Sequence, residues 1–320
     1  MLRRLKSQVE TELPAKTVMI HRVEMAPAQR DLYETVRLAM QSRIQEEIAS
    51  RGLGRSHITI LDGLLKLRQV CCDPRLLKDN AIARAAPSTI PGSQLKNTDP
   101  GQYGSAGTPR PTENKALSQG RAKPPAEPGV VQRVTRAGGV ENSAKLQALL
   151  EMVTEMLEEG RRILIFSQFV GMIRLIEAEL KALNIGYSLL TGETQDRATP
   201  VRQFQAGETK LFLISLKAGG TGLNLTAADT VIHYDPWWNP AAESQATDRA
   251  HRIGQTKPIF VYRFLTVGTV EARIQGMQER KKKLADSILQ EQAADSVAFT
   301  LDDVESLFAP VETLNVRCEV

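Results

Sequence analysis

The sequence predicts an α/β fold in which a doubly wound parallel sheet follows an N-terminal helical region and a disordered insertion. Two observations carry this prediction. Short, uninterrupted apolar runs such as ILIF at 163–166 and LFLI at 211–214 alternate with amphipathic segments of helix length. A stretch rich in proline and glycine separates this alternation from the N-terminal residues. Apolar strands separated by helices are typical of a parallel sheet that is covered on both faces.

Residues 1–78 are predicted to form a helical entry region. β-Branched residues in partial alternation at 17–25 indicate a strand, and Pro27 then leads into a helix that runs to residue 49. A second helix is predicted for residues 58–70, and it must stop before Pro74 because the residue before a proline disfavours helical dihedrals. Apolar residues recur at helical spacing along the first of these helices, so we expect it to pack on another element.

The composition changes between residues 79 and 141, where prolines recur in a stretch rich in glycine, serine and threonine. Such a segment cannot bury enough apolar surface to offset its chain entropy, so we predict a disordered insertion. Its basic residues outnumber its acids. A flexible insertion is the simpler interpretation, and a loose DNA-tethering role stays open beside it.

The ordered α/β domain is predicted for residues 142–292, and residues 293–320 are interpreted as a C-terminal tail. Strands are expected at 163–167, 187–190, 211–215, 230–234 and 259–264, and helices at 143–158, 171–183, 197–204, 240–253 and 269–290. In such sheets ligands bind beyond the carboxyl ends of the strands. We therefore expect Ser167, the loop at 217–224 and the turn at 235–239 to share one rim.

The composition is that of an ordinary soluble globular protein, with 42% hydrophobic and 24% charged residues. A formal net charge of +4 permits nucleic-acid binding without demonstrating it. The sequence shows no apolar run of membrane-spanning length and no signal-peptide pattern, so we expect a cytoplasmic protein without a membrane partner. Cys71, Cys72 and Cys318 lack the spacing of a disulfide framework or a zinc site, and no metal site is predicted.

The stretch DPWWNPAAESQATDRAHRIGQ at residues 235–255 carries the clearest helix signals. Asn239 can cap a helix, Pro240 suits the first helical position, and Gly254 suits the position after the last turn. These residues predict a helix over 240–253.

On that predicted helix, Gln245, Arg249 and Arg252 fall at positions i, i+4 and i+7 and so lie on one face. Two guanidiniums on one face can stabilise a phosphoryl group during its transfer. A solvated helix face explains the same spacing equally well.

The loop KAGGTGLN at residues 217–224 contains three glycines, at Gly219, Gly220 and Gly222. Glycine lets the backbone approach closely, so the amides of such a loop can meet a phosphate oxygen of a nucleotide or a DNA strand. A tight strand-to-helix turn is the equally simple alternative for the loop taken by itself.

The run SLKAGGTGLNLTAADTVIHYDPWWNP at 215–240 and the ending HRIGQ at 251–255 together resemble motifs V and VI of the SWI/SNF-type ATPases, a branch of the superfamily-two helicases. DEAD-box relatives usually end in HRxGR, whereas this chain has Gln255 there and the tandem Trp237 and Trp238 before it. SLKAGGTGLN is closer to bacterial and archaeal members than to eukaryotic remodellers.

Three further segments extend the resemblance. FSQF at 166–169 is similar to motif IV, and TG at 191–192 with Arg197 fits the pattern that follows it. LRQVCCDP at 67–74 resembles the segment that precedes the second lobe of these motors.

The resemblance implies a RecA-like C-terminal helicase lobe and gives its residues three kinds of role. It implies that Arg249 and Arg252 are catalytic arginine fingers. It implies nucleotide binding or coupling for Gln245, Asp248, Gly220 and Gly222. It implies DNA contact for Ser167, Gln168, Thr191, Lys217, Ala218, Gly219, Asn224, Trp237 and Trp238.

A motor of this class also needs a phosphate-binding GxxxxGK[ST] loop and an acidic Walker B segment, and neither occurs in this sequence. In the family these parts belong to a first lobe. The resemblance therefore implies that ATP with Mg²⁺ is held mainly by an N-terminal RecA-like lobe, in cis or in trans, and that double-stranded DNA is the other partner. We expect no hydrolysis from this chain alone, and a location at the nucleoid in a bacterium or in the nucleus of a eukaryote.

Two other classes stay open. The chain can be a non-catalytic module that binds DNA or protein through the same lobe, or a Rossmann-like enzyme for a small phosphorylated substrate, although the sequence has no GxGxxG opening. The motor interpretation makes a geometric prediction: Arg249 and Arg252 should point from the ligand edge of the sheet into a cleft open to a second body.

Overall fold

A computed structural model of the chain describes residues 13–77, 143–218, 222–288 and 300–311, with side chains described up to residue 280 in the third range. The predicted insertion at 79–141 lies outside the described residues.

The described strands form one sheet whose neighbours all pair in parallel. Its strands are β1 Lys16–Val23, β2 Ile163–Ser167, β3 Tyr187–Leu190, β4 Leu211–Ser215, β5 Thr230–His233 and β6 Ile259–Thr266. They lie in the order β1-β6-β5-β2-β4-β3, so the chain crosses over between most neighbours. The predicted α/β class and parallel sheet are confirmed.

The helices begin and end within a few residues of their predicted positions in most cases. They are α1 Pro27–Arg51, α2 His57–Cys72, α3 Ala144–Glu158, α4 Val170–Ala182, α5 Ala198–Ala206, α6 Pro240–Thr247, α7 Val270–Ile288 and α8 Leu301–Leu307. Short 3₁₀ turns follow α1 at Leu53–Arg55 and α2 at Pro74–Leu76.

The apolar strands are buried on both faces because successive side chains point to opposite sides of the sheet. In β2, Ile163 and Ile165 pack in a cluster with residues of α3 and α4. Leu164 and Phe166 pack in a second cluster with residues of α5 and α6. The doubly wound arrangement that the continuous apolar runs predict is therefore the observed one.

β1 is the edge strand of this sheet, although it belongs to the segment interpreted as a helical entry region. Its pairing with β6 runs in register from Lys16 opposite Ile259 to Val23 opposite Thr266. The backbone of Ile259 also donates to the carbonyl of Ala15 at 2.9 Å. The N-terminal region therefore completes the sheet as well as leading into it.

The helices α1, α2, α7 and α8 enclose a third apolar cluster beside the sheet. Tyr33, Leu64, Ile274 and Phe308 are among its buried members, with Phe308 only 1% exposed. The contribution of α8 shows that residues 300–311, within the stretch interpreted as a tail, are folded onto the domain. Thr300 starts α8 with a capping box that pairs its side chain with the backbone of Asp303.

A buried ion pair joins the helical cluster to the sheet. Lys145 of α3 lies 2.6 Å from Glu271 of α7, and both side chains are almost completely excluded from solvent. Burial by itself would lower the pKa of Lys145, but Glu271 together with Cys72 and Cys71 raises the pKa above its usual value. Glu271 also accepts from the backbone of Thr266 at the end of β6. These contacts fix α7 relative to the sheet.

Candidate functional site

Asp235, which follows β5, organises the carboxyl end of the sheet. Its carboxylate is fully buried and accepts from the Ser167 hydroxyl and, at 3.1 Å, from the backbone of Gln168. Nη2 of Arg68, from α2, lies 4.0 Å from the same carboxylate. Burial raises the pKa of Asp235 against the opposing effect of Arg68. The turn after β5 is thus tied to β2 and to the helical cluster.

Three side chains predicted to contact DNA are buried in this structure. Ser167 is 0% exposed because its hydroxyl bonds to Asp235, and Thr191 is 1% exposed with its hydroxyl accepting from the backbone of Glu193. The methyl group of Ala218 is part of the apolar cluster beneath α5 and α6. These three side chains pack within the lobe, and DNA contact by these residues stays a prediction. Lys217 is exposed and Gln168 is half-buried.

The adjacent tryptophans point to different parts of the fold. Trp237 packs against the cluster beneath α5 and α6, whereas Trp238 packs against the helical cluster. Both rings are half-buried, and the DNA contact that the resemblance implies for them stays a prediction. The Gln278 amide of α7 donates to the carbonyls of both, at 2.7 and 2.9 Å. The backbone of Trp237 donates to Glu243 at 2.7 Å.

The predicted helix over 240–253 is shorter than expected. Asn239 caps α6 through its side chain as predicted, but the helix ends at Thr247. Beyond it the hydrogen bonds tighten: the backbones of Arg249 and Ala250 donate to carbonyls only three residues earlier. Gln245 therefore lies on the helix, whereas Arg249 and Arg252 lie on the following turns, so the single helical stripe is corrected to a helix followed by an arginine-bearing turn.

Exposure differs along this arginine turn, by which we mean residues 248–252. Gln245 and Arg252 are exposed, and Asp248 and Arg249 are half-buried. Arg252 is thus available to a second body, which the motor interpretation requires.

The arginine turn lies near the amino ends of the strands, away from the carboxyl rim. The backbone of Leu225 donates to the carbonyl of Arg249 at 3.0 Å, and the His251 ring bonds to the carbonyl of Pro14, just before β1. The expectation that the arginines point from the carboxyl edge is therefore wrong. The reason is that α6 begins at the carboxyl end of β5 and carries the chain back along the sheet before the arginines are reached.

Comparisons with known proteins agree with this architecture. The model described as SNF2-related domain matches residues 1–76, and the model described as Helicase conserved C-terminal domain matches residues 144–254. An uncharacterized ATP-dependent helicase of Mycoplasma pneumoniae is 33% identical over 310 residues, which cover 96% of this chain.

The chain belongs to the SWI/SNF-type family.

Two solved structures extend the likeness to the fold of this SWI/SNF-type chain. The SWI2/SNF2 ATPase core domain of Sulfolobus solfataricus superposes with a TM-score of 0.62 at 26% identity, covering 98% of this chain and 53% of the other. The same core in complex with dsDNA gives a TM-score of 0.59 at 26% identity, covering 96% and 53%. The chain spans only 24% of the length of the Mycoplasma relative.

The motif V loop of this SWI/SNF-type chain is described at both ends. Gly219 and Gly220 lie outside the described residues, whereas Gly222 is exposed with φ of 31°, in the region that favours glycine. Asn224 is exposed, and its carbonyl accepts from the Gln205 side chain at 2.8 Å. Because Gln205 lies at the end of α5, the loop connects Lys217 at the carboxyl rim with Asn224 near the amino ends.

Sequence reasoning missed two glutamines at this loop. Gln255, the last residue of HRIGQ, is 7% exposed and donates to the carbonyls of Thr226, Ala228 and Ala250. Gln205 was not singled out at all. The departure from HRxGR at Gln255 was a visible signal, but two of the carbonyls that the side chain meets, those of Thr226 and Ala228, are far from it in the sequence.

The histidines of motifs V and VI, His233 and His251, bond within the lobe. His233 is buried, with Nε2 2.9 Å from the Thr247 hydroxyl. Burial, with a contribution from Arg263, lowers the pKa of His233 to about 3, so it stays neutral at physiological pH.

The described residues contain neither a metal-binding cluster nor a helix that could span a membrane. Within them, no group of three His, Cys, Asp or Glu side chains could hold a metal ion. The arginine turn supplies guanidiniums, which suit phosphate oxygens rather than a cation. Among the helices that the structure describes, none has the length and apolarity of a transmembrane segment.

Proposed function

We propose that this chain is the second, C-terminal RecA-like lobe of a DNA-dependent ATPase that translocates on double-stranded DNA. The observation that supports it best is the arginine turn: Arg252 is exposed and Arg249 half-buried on a segment anchored by the Leu225–Arg249 backbone bond. The chain also covers only about half of the Sulfolobus SWI2/SNF2 core, 53%, which is consistent with one lobe of two.

ATP with Mg²⁺ would lie between this lobe and an N-terminal lobe that supplies the phosphate loop and the metal ligands. The bound nucleotide supplies the phosphoanhydride bond whose cleavage drives the cycle. Arg252 and Arg249 donate to phosphate oxygens and stabilise the charge that develops on them, an effect worth roughly 10³ to 10⁵ in rate for an arginine finger. The exposed Gln245 lies on the adjacent helix and can orient polar groups at the same surface.

Duplex DNA is proposed to contact the opposite, carboxyl end of the sheet. Lys217 is exposed there, beside the turn that carries Trp237 and Trp238. The Sulfolobus core that this chain resembles was solved in complex with dsDNA, which supports this partner. Nucleotide and DNA would then occupy two different ends of the lobe.

The test uses the complete two-lobe protein that carries this sequence. Arg252→Ala is expected to reduce DNA-stimulated ATP hydrolysis by about 10³ or more while duplex affinity changes less than about threefold. Arg252→Lys should recover only a small part, because it keeps the charge and loses the fork of donors. The exposed Arg55→Ala is the matched control and should behave as wild type. Activity of Arg252→Ala within a few-fold of wild type would show that Arg252 is not an arginine finger. A wild-type protein that binds DNA normally but never hydrolyses ATP would favour a binding module.

A further inference from the structure

The segment between β4 and β5 runs from the carboxyl end of the sheet, where DNA is proposed to bind, to its amino end, where the arginine turn lies. Lys217 follows the carboxyl end of β4, and residues 224–228 lie near the amino ends, where the backbone of Asp229 donates to the carbonyl of Arg162 just before β2. The second end of this segment touches the arginine turn directly, through the Leu225–Arg249 backbone bond of 3.0 Å. One backbone bond is a weak connection, since its net contribution is small.

Gln205 holds one side of residues 224–228. Its amide nitrogen donates to the carbonyl of Asn224 at 2.8 Å, and its amide oxygen accepts from the backbone of Ala227 at 3.0 Å. The glutamine is itself fixed at the end of α5, where its own carbonyl accepts from Arg162. A side chain that donates and accepts at two points of one turn fixes both its position and its orientation.

Gln255 holds the other side and reaches the arginine turn as well. Its Nε2 donates to the carbonyls of Thr226 and Ala228 at 3.1 and 2.8 Å, and to that of Ala250 at 3.1 Å. Its Oε1 accepts from the backbones of Thr256 and Lys257, both at 2.9 Å. A single buried amide therefore joins the end of the motif V loop, the arginine turn and the start of β6.

We propose that Gln205 and Gln255 are positioning residues that make the motif V loop and the arginine turn move as one unit. This inference rests on the function proposed above and gives a structural role to Gln255, the last residue of HRIGQ, and to Gln205, which lies outside the motifs quoted above. Neither side chain would touch ATP or DNA. Gln205 fixes the loop to α5, and Gln255 fixes the same loop to the turn that carries Arg249 and Arg252. A displacement of residues 224–228 would thereby reach the arginine turn.

Without the Gln255 amide, the carbonyls of Ala228 and Ala250 lose a donor in a region that water barely enters, since Gln255 is only 7% exposed. Buried carbonyls need partners, so the segment would rearrange and the loop and turn would separate. Gln205 is more exposed and its loss loosens the loop with less effect on the fold.

The coupling is tested in the complete two-lobe protein by the ratio of the ATP hydrolysis rate with saturating duplex DNA to the rate without DNA. Gln205→Ala and Gln255→Ala are each expected to lower this ratio by about tenfold, the scale of one or two lost hydrogen bonds. Gln205→Glu keeps the acceptor for Ala227 and loses the donor to Asn224, so it should recover part of the ratio. Gln147→Ala is the control, because Gln147 is an exposed glutamine of α3 whose side chain donates to Glu151 of the same helix. Ratios within twofold of wild type for both alanine variants would overturn the proposal.

Amide hydrogen exchange on this 320-residue chain decides the same point without ATP. In Gln205→Ala, which should remain folded, we expect amides of residues 222–228 and of residues 248–252 to exchange about tenfold faster together, while those of α3 keep their rates. Faster exchange in the loop with unchanged exchange in the arginine turn would show that the two are not coupled. If the wild-type protein proves to have no ATPase activity, the proposed function fails, and the exchange result still decides whether the two glutamines join these segments.

Discussion

Nη2 of Arg68 lies 4.0 Å from Oδ2 of Asp235, and the two side chains are 2% and 0% exposed. Arg68 comes from α2 of the N-terminal region and Asp235 from the turn after β5, so a buried charge contact joins two segments far apart in the sequence. Arg68 also donates to the carbonyl of Pro236, immediately before the tandem tryptophans. The conformation of the DPWW turn therefore depends on the helical region as well as on the sheet.

Replacing Arg68 with methionine should destabilise the chain by about 3 kcal/mol, because a buried carboxylate loses its cation. Urea unfolding of this chain measures the change. The double variant Arg68→Met with Asp235→Asn should lose about 1 to 3 kcal/mol less unfolding free energy than the two single variants lose together. Strict additivity of the two substitutions would show that the contact carries no coupling.

Acidification should destabilise the chain through His233. Its pKa is lowered to about 3 in the folded protein, mainly by burial, whereas the unfolded imidazole titrates near 6.5. The stabilisation that neutral His233 provides is therefore complete above about pH 6.5 and is lost as the pH falls from there towards 3. The loss reaches about 2 to 3 kcal/mol at pH 4.5. The unfolding free energies of wild type and His233→Gln at pH 7 and 4.5 test this. Equal losses in the two proteins between these pH values would contradict it.

Lys217 should contribute to duplex binding if DNA contacts the carboxyl rim. Lys217→Glu in the complete protein is expected to weaken binding about tenfold and to change the salt dependence by about one phosphate contact. Lys210 is an equally exposed lysine at the other end of β4 and provides the matched control as Lys210→Glu. Binding titrations at several salt concentrations measure both. An equal effect of the two substitutions would point to net charge rather than to a contact at the rim.

The packing of α8 should be essential to the stability of the helical cluster. Phe308 is 1% exposed, and Phe308→Ala should cost about 3 to 5 kcal/mol of unfolding free energy. Phe308 directly follows α8, and Leu301, the first residue of that helix, is 52% exposed, so Leu301→Ala should cost less than about 1 kcal/mol. Thermal or urea unfolding of the two variants measures these losses of unfolding free energy. A small loss for Phe308→Ala would mean that residues 300–311 contribute little to the fold.

Local patterns predicted the elements of the sheet because their information is contained in a few neighbouring residues. The strands Ile163–Ser167, Tyr187–Leu190 and Leu211–Ser215 have the predicted bounds. Uninterrupted apolar runs fit only a strand buried on both faces when they are this short and are flanked by helices. The cap at Asn239 was predictable for the same reason, since its side chain bonds two residues away.

Tertiary structure decided where the candidate site residues lie. Ser167 was predicted at the rim, and it does follow β2 there, but only the assembled sheet brings Asp235 to its hydroxyl and buries it. The prediction that Gln245, Arg249 and Arg252 share one helical face requires a helix that continues to residue 253. Instead α6 ends at Thr247, and the chain beyond it contacts the end of the motif V loop.

The sequence by itself determined the parallel α/β class and the motif residues that the SWI/SNF-type family shares, because apolar runs and motif spacing are properties of neighbouring residues. The tertiary structure alone decided that β1 pairs with β6, that the arginine turn lies near the amino ends of the strands, and that Gln205 and Gln255 hold the motif V loop. These contacts join residues remote in sequence, so their existence depends on the direction in which each helix carries the chain across the sheet.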